Sequence, residues 1–461
     1  MNAIAQARGR YHTLKLLNTL WNTMTTLLST MLISALAVLV NIGLISSKAP
    51  ETLYILGLFL PLNYVMMAIH EGLRIPVLAD TAQQERFTRR ELGQRLSVVY
   101  LTMSCAMGAL VLALWCFEGA AMAFFHVPLE RQQEVMAFIL PMLGVGLVIG
   151  LATLTLSALF GLGVARWAGP LGILGTGLNV LITYLAVTYW HLGLNAMVLG
   201  AASGSVFLLL AGSVVLFKLG VRLFVPGTLG QVKQVLTNTL FTGVPVMGSF
   251  LLLFGFLSAF NYLVSFFGEA EISGFGIAFR IQSFVILPAI ALGTAMAICA
   301  NKALARQAFA QARSVFFIGL GVAGGLYLVI AIAVFSLREE LIGLFTRDPE
   351  VIASAMNYFT IVAPSYLSLG AVLALMTALE QTGQGLKVLL LNVIFYSVEI
   401  ALAALLGLNQ QDATRMYLVI AVINWLSSLY LCLELGKRLL RSAPPQNVPG
   451  PLVGASGEVN E

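Results

Sequence analysis

Charge is what this chain has least of. Asp, Glu, Lys and Arg make up 10% of its 461 residues, where a soluble domain carries about a quarter. So little charge cannot cover a water-exposed surface, which excludes an ordinary soluble globular fold. Cysteine is also rare. Cys105, Cys116, Cys299 and Cys432 all fall in or beside apolar segments, with no C-x-x-C pair and no Cys/His cluster. That leaves no disulfide framework and no expected metal site. The chain lacks a G-x-x-x-x-G-K-[ST] loop, so ATP is not expected as a direct energy source. No H-E-x-x-H or nucleophile motif points to an enzyme, and no segment reads as a selectivity filter. Basic residues are not interleaved with aromatics, so nucleic acid is not an expected partner.

What the chain does have is apolar sequence in runs of about 20 residues or more, long enough to cross a bilayer as helix. The runs predict an all-α polytopic membrane protein with twelve helices, near 18–46, 53–79, 94–117, 135–161, 168–190, 194–217, 239–267, 272–299, 315–336, 353–379, 388–407 and 414–436. The N-terminal stretch MNAIAQARGRYHTLK is basic, and the apolar run after it exceeds a signal-peptide core, so the first helix is expected to stay. With that count, eighteen Lys and Arg residues fall in segments on the N-terminal side of the membrane and five on the other. Arg74 and Arg280 fall within helices. The asymmetry predicts both termini in the cytoplasm of a bacterial inner-membrane protein. The tail 441–461, rich in Pro, Gly and polar residues, is expected to be disordered.

A shift of 220 residues lays 125–163 over 345–383 without a gap, with eight identities that include Glu130/Glu350, Gly150/Gly370 and Gly163/Gly383. Each copy places an F-x-x-x-x-E loop before a helix and a Gly-containing turn after it. The chain is therefore expected to divide into helices 1–6 (residues 1–220) and 7–12 (221–440), two lobes in the same orientation with a site between them, which is a transporter architecture.

Against this apolar background, buried polar residues are the candidate functional groups. An ionised side chain at the centre of a membrane helix costs roughly 2.5–3.5 kcal/mol on insertion scales. His70, Glu71 and Arg74 lie within MMAIHEGLRIPV (66–77), with Glu71 and Arg74 three apart on one helix face and Pro76 just beyond. They read either as a polar cavity lining or as an arginine snorkelling to the interface with Glu71 neutralising it. Glu399 has no basic neighbour in its own helix; it is a candidate proton-coupling acid and equally a candidate for an interhelical hydrogen bond. Asn41, Asn179 and Thr183 could coordinate a cation through oxygen but cannot titrate, and polar contact between helices is the slightly favoured reading for them. Met66, Phe254 and Phe260 are candidate greasy lining for an amphipathic ligand, and face lipid in the alternative. G-x-x-x-G spacings within GVGLVIG (144–150) and GAASG (200–204) read as close helix packing.

In the second half, SGFGIAFRIQSFVILPAIALGTAM (273–296) and LFTRDPEVIASAMNYFTIVAPSY (344–366) resemble helix 8 and the loop and helix 10 of the multidrug and toxic compound extrusion (MATE) transporters. VNIGLISSKAPETL (40–53) is similar to the junction of that family's first two helices. The resemblance implies two six-helix lobes forming a V and export of amphipathic organic compounds, lipophilic cations among them. It also implies Na⁺ or H⁺ as coupling ion, with no other cofactor, and the protein is expected to act as a monomer in the lipid bilayer. The sequence departs from the family at its usual acids: Asn41 and Thr183 stand where many members carry aspartate, and FLLLFGFLSAF (250–260) in helix 7 holds no acid. Arg280 lies in the matched FRIQS segment. A lipid-linked-precursor flippase and a dedicated secondary-metabolite exporter are the alternatives; the first would favour a strongly cationic cavity.

Overall fold

A backbone in hydrocarbon must bond to itself, and this one does so as helix. The computed structural model describes residues 2–46, 52–124, 127–223, 225, 227–409 and 411–440; the expected disordered tail, 441–461, lies outside them. Among the described residues there is no strand. The membrane helices are α1 (Asn2–Ser46), α2 (Thr52–Ala82), α3 (Arg89–Cys116), α4 (Leu129–Gly161), α5 (Ala165–Thr188), α6 (Asn195–Lys218), α7 (Leu229–Val264), α8 (Glu269–Ala305) and α9 (Phe309–Ser336). They continue with α10, whose segments Pro349–Val362 and Tyr366–Leu379 are joined by one 3-10 turn, then α11 (Gly385–Ala403) and α12 (Ala413–Leu440). Eleven continuous helical stretches are long and apolar enough to span a membrane, and one of them, 60 residues long, holds both α10 and α11. Thr382 and Gly383 break it, with φ at −108° and +90°. The twelve-helix expectation therefore stands.

The helices are longer than the apolar runs because charged interfacial turns belong to them. α3 starts at Arg89, where Thr88 and Glu91 form a reciprocal cap, and α7 starts at Leu229, where Thr228 and Gln231 do the same. Each cap satisfies two otherwise orphaned amides. The T-x-x-E and T-x-x-Q spacings were readable in the sequence, but hydropathy alone places the start of α7 ten residues too late.

Helix contacts repeat between the halves. In the first, α1 packs on α5, α2 on α3 and α4, α3 on α4, and α6 on α4 and α5. In the second, α7 packs on α11, α8 on α9 and α10, α9 on α10, and α12 on α10 and α11. The halves meet along a seam where α1 lies on α8 and α2 on α7, a pairing that exchanges repeat-equivalent helices. At the α2–α7 crossing the backbones touch: a Cβ on Gly72 would stand 2.8 Å from the Gly243 carbonyl oxygen, and one on Gly243 would meet the Gly72 carbonyl oxygen closer still. Within the lobes, Gly146 and Gly150 receive Met66 and His70 from α2, consistent with packing as the role of that G-x-x-x-G run.

One end of the bundle carries the loops 83–88, 162–164, 219–223, 227–228, 306–308 and 380–384; it holds most of the basic residues and is called the basic end below. The opposite one is the far end. A side chain from α9 inserts into the backbone ladder of α8. Pro288 removes one amide from the ladder, and the buried Tyr327 hydroxyl of α9 enters next to it, donating to the Val285 carbonyl at 2.6 Å and accepting from the Ala289 amide at 2.9 Å. A side chain inserted between a carbonyl and the amide four residues on bends a helix. Tyr327→Phe keeps the ring, which rests on Gly370, and strips both backbone groups of that partner. A loss of about 1–2 kcal/mol is expected, read as a lower thermal midpoint in detergent; an unchanged midpoint would show that α8 closes the gap by itself.

Candidate functional site

Polar side chains within the membrane helices gather at three places. The first lies inside the first half, where α1, α5 and α6 meet. The Asn41 amide nitrogen donates to Asn179 Oδ1 at 3.2 Å, and the Thr183 hydroxyl reaches the same oxygen at 3.4 Å and the Ala196 carbonyl at 3.5 Å. Gly200 makes this convergence possible, because a Cβ there would collide with Thr183 Oγ1 and come within 2.8 Å of Asn179 Oδ1. Asn41 and Thr183 are buried, and Asn41 Oδ1 has no hydrogen-bond partner. An orphaned buried carbonyl oxygen is an acceptor in want of a donor or a hard cation. An open apolar groove of about 540 Å³ runs beside the cluster, lined by Ala37, Val40 and Leu44 of α1 and Val180 and Tyr184 of α5.

The second place is the seam. The Arg74 guanidinium donates to Glu71 Oε2 from Nε at 2.8 Å and from Nη2 at 2.6 Å. Both are largely buried, with side-chain exposures of 11% and 24%. Glu380, at the break between α10 and α11, is buried, lies within electrostatic reach of both and stands beside the Ser249 hydroxyl of α7. Carboxyls from the two halves thus lie within electrostatic reach of one arginine. Hydropathy and spacing alone do not single out Glu380. Its signal, an acid at a Gly-containing turn matching Gly163, is visible only once that turn is seen to pack on α2 and α7.

The third place is inside the second half. Glu399 of α11 is buried, and its charge acts on the hydroxyls of Tyr358 and Tyr396. It makes no ion pair and no side-chain hydrogen bond among the described residues. Tyr358 donates to Gln282 Oε1, and Tyr417 donates to Glu271 Oε1 at 2.8 Å. Among the described residues, no three His, Cys, Asp or Glu side chains group as metal ligands.

Several candidates named from sequence are placed elsewhere. His70 turns away from Glu71's surroundings into the first half, where its ring lies against Gly150 and its Nε2 lacks a partner. Met66 fills the space over Gly146, and Phe260 is buried among Phe256 and Phe275. These three pack within lobes rather than line a space between them. Helical periodicity set the faces, but in a bundle both the lobe interior and the seam accept apolar or weakly polar side chains. Phe254 does lie at the seam, stacked on Tyr64 of α2 with centroids 3.8 Å apart. Arg280 is exposed on α8 and makes no ion pair among the described residues.

If Arg74 and Glu71 form a pair in a low-dielectric seam, removing one partner strands the other. Arg74→Met is expected to destabilise by on the order of 3 kcal/mol, and Glu71→Gln/Arg74→Met to recover most of it. Thermal unfolding of the purified variants measures this; a double variant no better than Arg74→Met would show that Glu71 is solvated without its arginine.

Residues 245–405 match the family model described as MatE. The chain is 25% identical over 246 residues to the multidrug export protein MepA of Staphylococcus aureus (strain MSSA476), covering 50% of this chain and 52% of that one. It is 26% identical over 179 residues to the probable multidrug resistance protein YoeA of Bacillus subtilis (strain 168), covering 38% of each. The chain therefore spans about half the length or less of these curated relatives. Its fold resembles that of a mutant of the Vibrio cholerae MATE transporter VcmN, with a TM-score of 0.87 at 18% identity over 93% of this chain and 98% of that one. It also resembles a MATE transporter solved in complex with MaD5, with a TM-score of 0.84 at 15% identity over 92% and 96%.

Proposed function

We propose that this chain, which matches the MatE family model over residues 245–405, is a MATE-type transporter, a secondary active exporter of amphipathic small molecules, lipophilic cations among them, working by alternating access of its two lobes and driven by an inward cation gradient. The observation that carries this is the seam. Two repeat-related halves meet along α1–α8 and α2–α7, and the membrane-buried charge of Arg74, Glu71 and Glu380 is concentrated there. A charged group is tolerated in hydrocarbon where it faces a pathway or a partner. The relatives' names, multidrug export and multidrug resistance, agree with this substrate class, and the apolar groove beside Asn41 is of a size that takes a drug-like molecule.

The positive-inside bias puts the basic end and both termini in the cytoplasm of a bacterial inner membrane. In that orientation the conformation is closed to the cytoplasm. The protein works as a monomer, since each chain supplies both lobes.

The coupling ion in this reading is the proton. Glu71 is neutralised by Arg74, whereas Glu399 has no cationic partner and so must either be protonated or bear an uncompensated charge. That makes it a group from which substrate cation and proton displace one another. One observation favours sodium instead: the orphaned Oδ1 of Asn41, beside Asn179 and Thr183, offers oxygen but no compensating charge. A flippase for lipid-linked precursors fits less well, because a pyrophosphate would have to take Arg74 from Glu71. A dedicated metabolite exporter differs only in substrate.

Reconstitution in liposomes tests the reading. Efflux of a fluorescent lipophilic cation is expected under an imposed proton gradient and not under a sodium gradient. Glu399→Gln is expected to cut proton-driven efflux about tenfold or more, equivalent to about 1.4 kcal/mol in the barrier. Sodium-only flux, lost in Asn41→Ala, would move coupling to the α1–α5–α6 cluster. No flux under either gradient from folded protein would overturn the drug-export reading.

A further inference from the structure

Among the described residues, three hydrogen-bonded contacts join the helices and turns of one half to those of the other, besides the Val225 amide of the connector, which donates to Ser97 Oγ at 3.2 Å, and all three lie at the basic end. The turn after α2 holds Gln83, Glu85 and Arg86; the end of α8 holds Asn301, Lys302, Leu304 and Arg306. The Gln83 amide donates to Asn301 Oδ1 at 2.9 Å, and Arg86 Nη2 donates to the Leu304 carbonyl at 2.8 Å. The Arg306 guanidinium grips both Glu85 oxygens, from Nε at 3.0 and 2.8 Å and from Nη2 at 2.5 Å. Lys302 adds a fourth contact. Its ammonium stands over Gly163, where a Cβ would come within 2.5 Å of Nζ, just past the end of α4, the helix pole that attracts cations.

These contacts have the symmetry of the repeat. The 220-residue shift carries Arg86 onto Arg306, and each of the two arginines reaches across the seam into the other half's turn. The glycines that close α4 and α10, Gly163 and Gly383, are also repeat mates, with φ of +81° and +90°. Asn301 ties the second of these turns in, donating to the Gln381 carbonyl at 2.9 Å while it accepts from Gln83. The tie sits directly on the closed part of the molecule: α8 is buried without interruption from Ala291 to Asn301.

We propose that the turn after α2 and the end of α8 form the gate of the basic face, with Arg86 and Arg306 as its two repeat-related ties, and that this face opens only when both let go. The proposal rests on the alternating-access reading above. The ties are suited to reversible closure. Glu85 and Arg306 are about half exposed, at 48% and 59%, and exposed pairs are weak, so release needs no buried charge to be stranded. The gate is not itself proton-operated. Arg306, hydrogen-bonded to Glu85, together with Lys302 holds that carboxyl below its ordinary range. A depressed carboxylate keeps its pair at neutral pH and loses it only as pH falls through the depressed value. Arg306 and Lys302 are the charged groups that act on Glu85 from α8.

The test is a distance measurement between spin labels at Arg166→Cys and Leu386→Cys, exposed positions at the basic end, one in each half and related by the repeat shift. Cys105, Cys116, Cys299 and Cys432 are replaced by Ala, and the protein is held in lipid nanodiscs without substrate or gradient. With the gate intact, one short distance dominates. Glu85→Arg and Arg306→Glu are each expected to bring in a longer distance, and the swap Glu85→Arg/Arg306→Glu to restore the short one. Arg86→Gln, which leaves the ion pair whole, is expected to give a smaller shift in the same direction. The distribution should not change between about pH 8 and about pH 5.5, above the ordinary carboxylate range. Unchanged distances in both charge reversals, or a swap that fails to restore the short distance, would overturn the gate. Efflux by the same variants separates this from the transport reading: distances that behave as expected in a protein that moves no substrate sink export and leave the gate standing.

Discussion

Hydrocarbon does not solvate charge, and every functional feature of this protein follows from where it allows charge to remain. Roughly 2.5–3.5 kcal/mol opposes each ionised side chain placed at the centre of a membrane helix. Of the few such groups, Arg74, Glu71 and Glu380 gather at the seam, whereas Glu399 is buried inside the second half without a cation. Arg74 pairs with Glu71 on its own helix and lies within electrostatic reach of Glu380 from the other half. That arrangement needs α2 and α7 in backbone contact, and the Gly72–Gly243 crossing supplies it. A side chain larger than hydrogen at either position would drive the halves apart and leave the arginine with one carboxylate.

The two halves have the same helix contacts but not the same chemistry. The first half offers amides and a hydroxyl, Asn41, Asn179 and Thr183, around an unsatisfied oxygen. The second offers carboxyls, Glu380 and Glu399, with tyrosines around the latter. Duplication fixes the scaffold because contacts such as α3 on α4 and α9 on α10 depend on small residues, Gly150 under Met103 and Gly370 under Tyr327, kept in both copies. It does not fix the polar groups, which are free to differ wherever the backbone is already satisfied. The cation-driven export proposed above would gain from the difference. Only one half has to carry the titrating group, and the other can bind without changing charge.

How much of this the sequence disclosed depends on the length scale of the signal. Twelve spans were legible because each is set by some twenty apolar residues, and the break at Thr382–Gly383 is marked by a glycine that repeats Gly163. The Asn41–Asn179–Thr183 convergence was legible as a list of oxygen donors, though not as a cluster, since 138 residues separate Asn41 from Asn179. Which way His70, Met66 and Phe260 face was not legible. An amphipathic stripe distinguishes lipid from protein, but here one helix meets lobe interior and seam on adjoining faces, and both are greasy. The roles of Glu380, Glu85 and Arg306 were hidden for a different reason: each matters only through a partner from another part of the chain, as in the 221-residue separation of Glu85 from Arg306.

Coupling and gating must be separate chemistries in such a molecule. A group that couples must change protonation or ligation under working conditions, so it cannot already be locked in an ion pair. Glu399 meets that condition by having no cationic partner, and Asn41 by having an idle oxygen. A group that gates must hold one state and release it without a large desolvation penalty, so it belongs at the surface, paired and wet. Glu85 and Arg306 meet that condition, and the depressed carboxyl of Glu85 keeps the tie indifferent to pH near neutrality. The Gln83–Asn301–Gln381 chain joins the proposed gate to the turn that carries Glu380, at the seam. A change in charge at the seam therefore has a short, hydrogen-bonded route to the gate, one that does not require the gate to titrate.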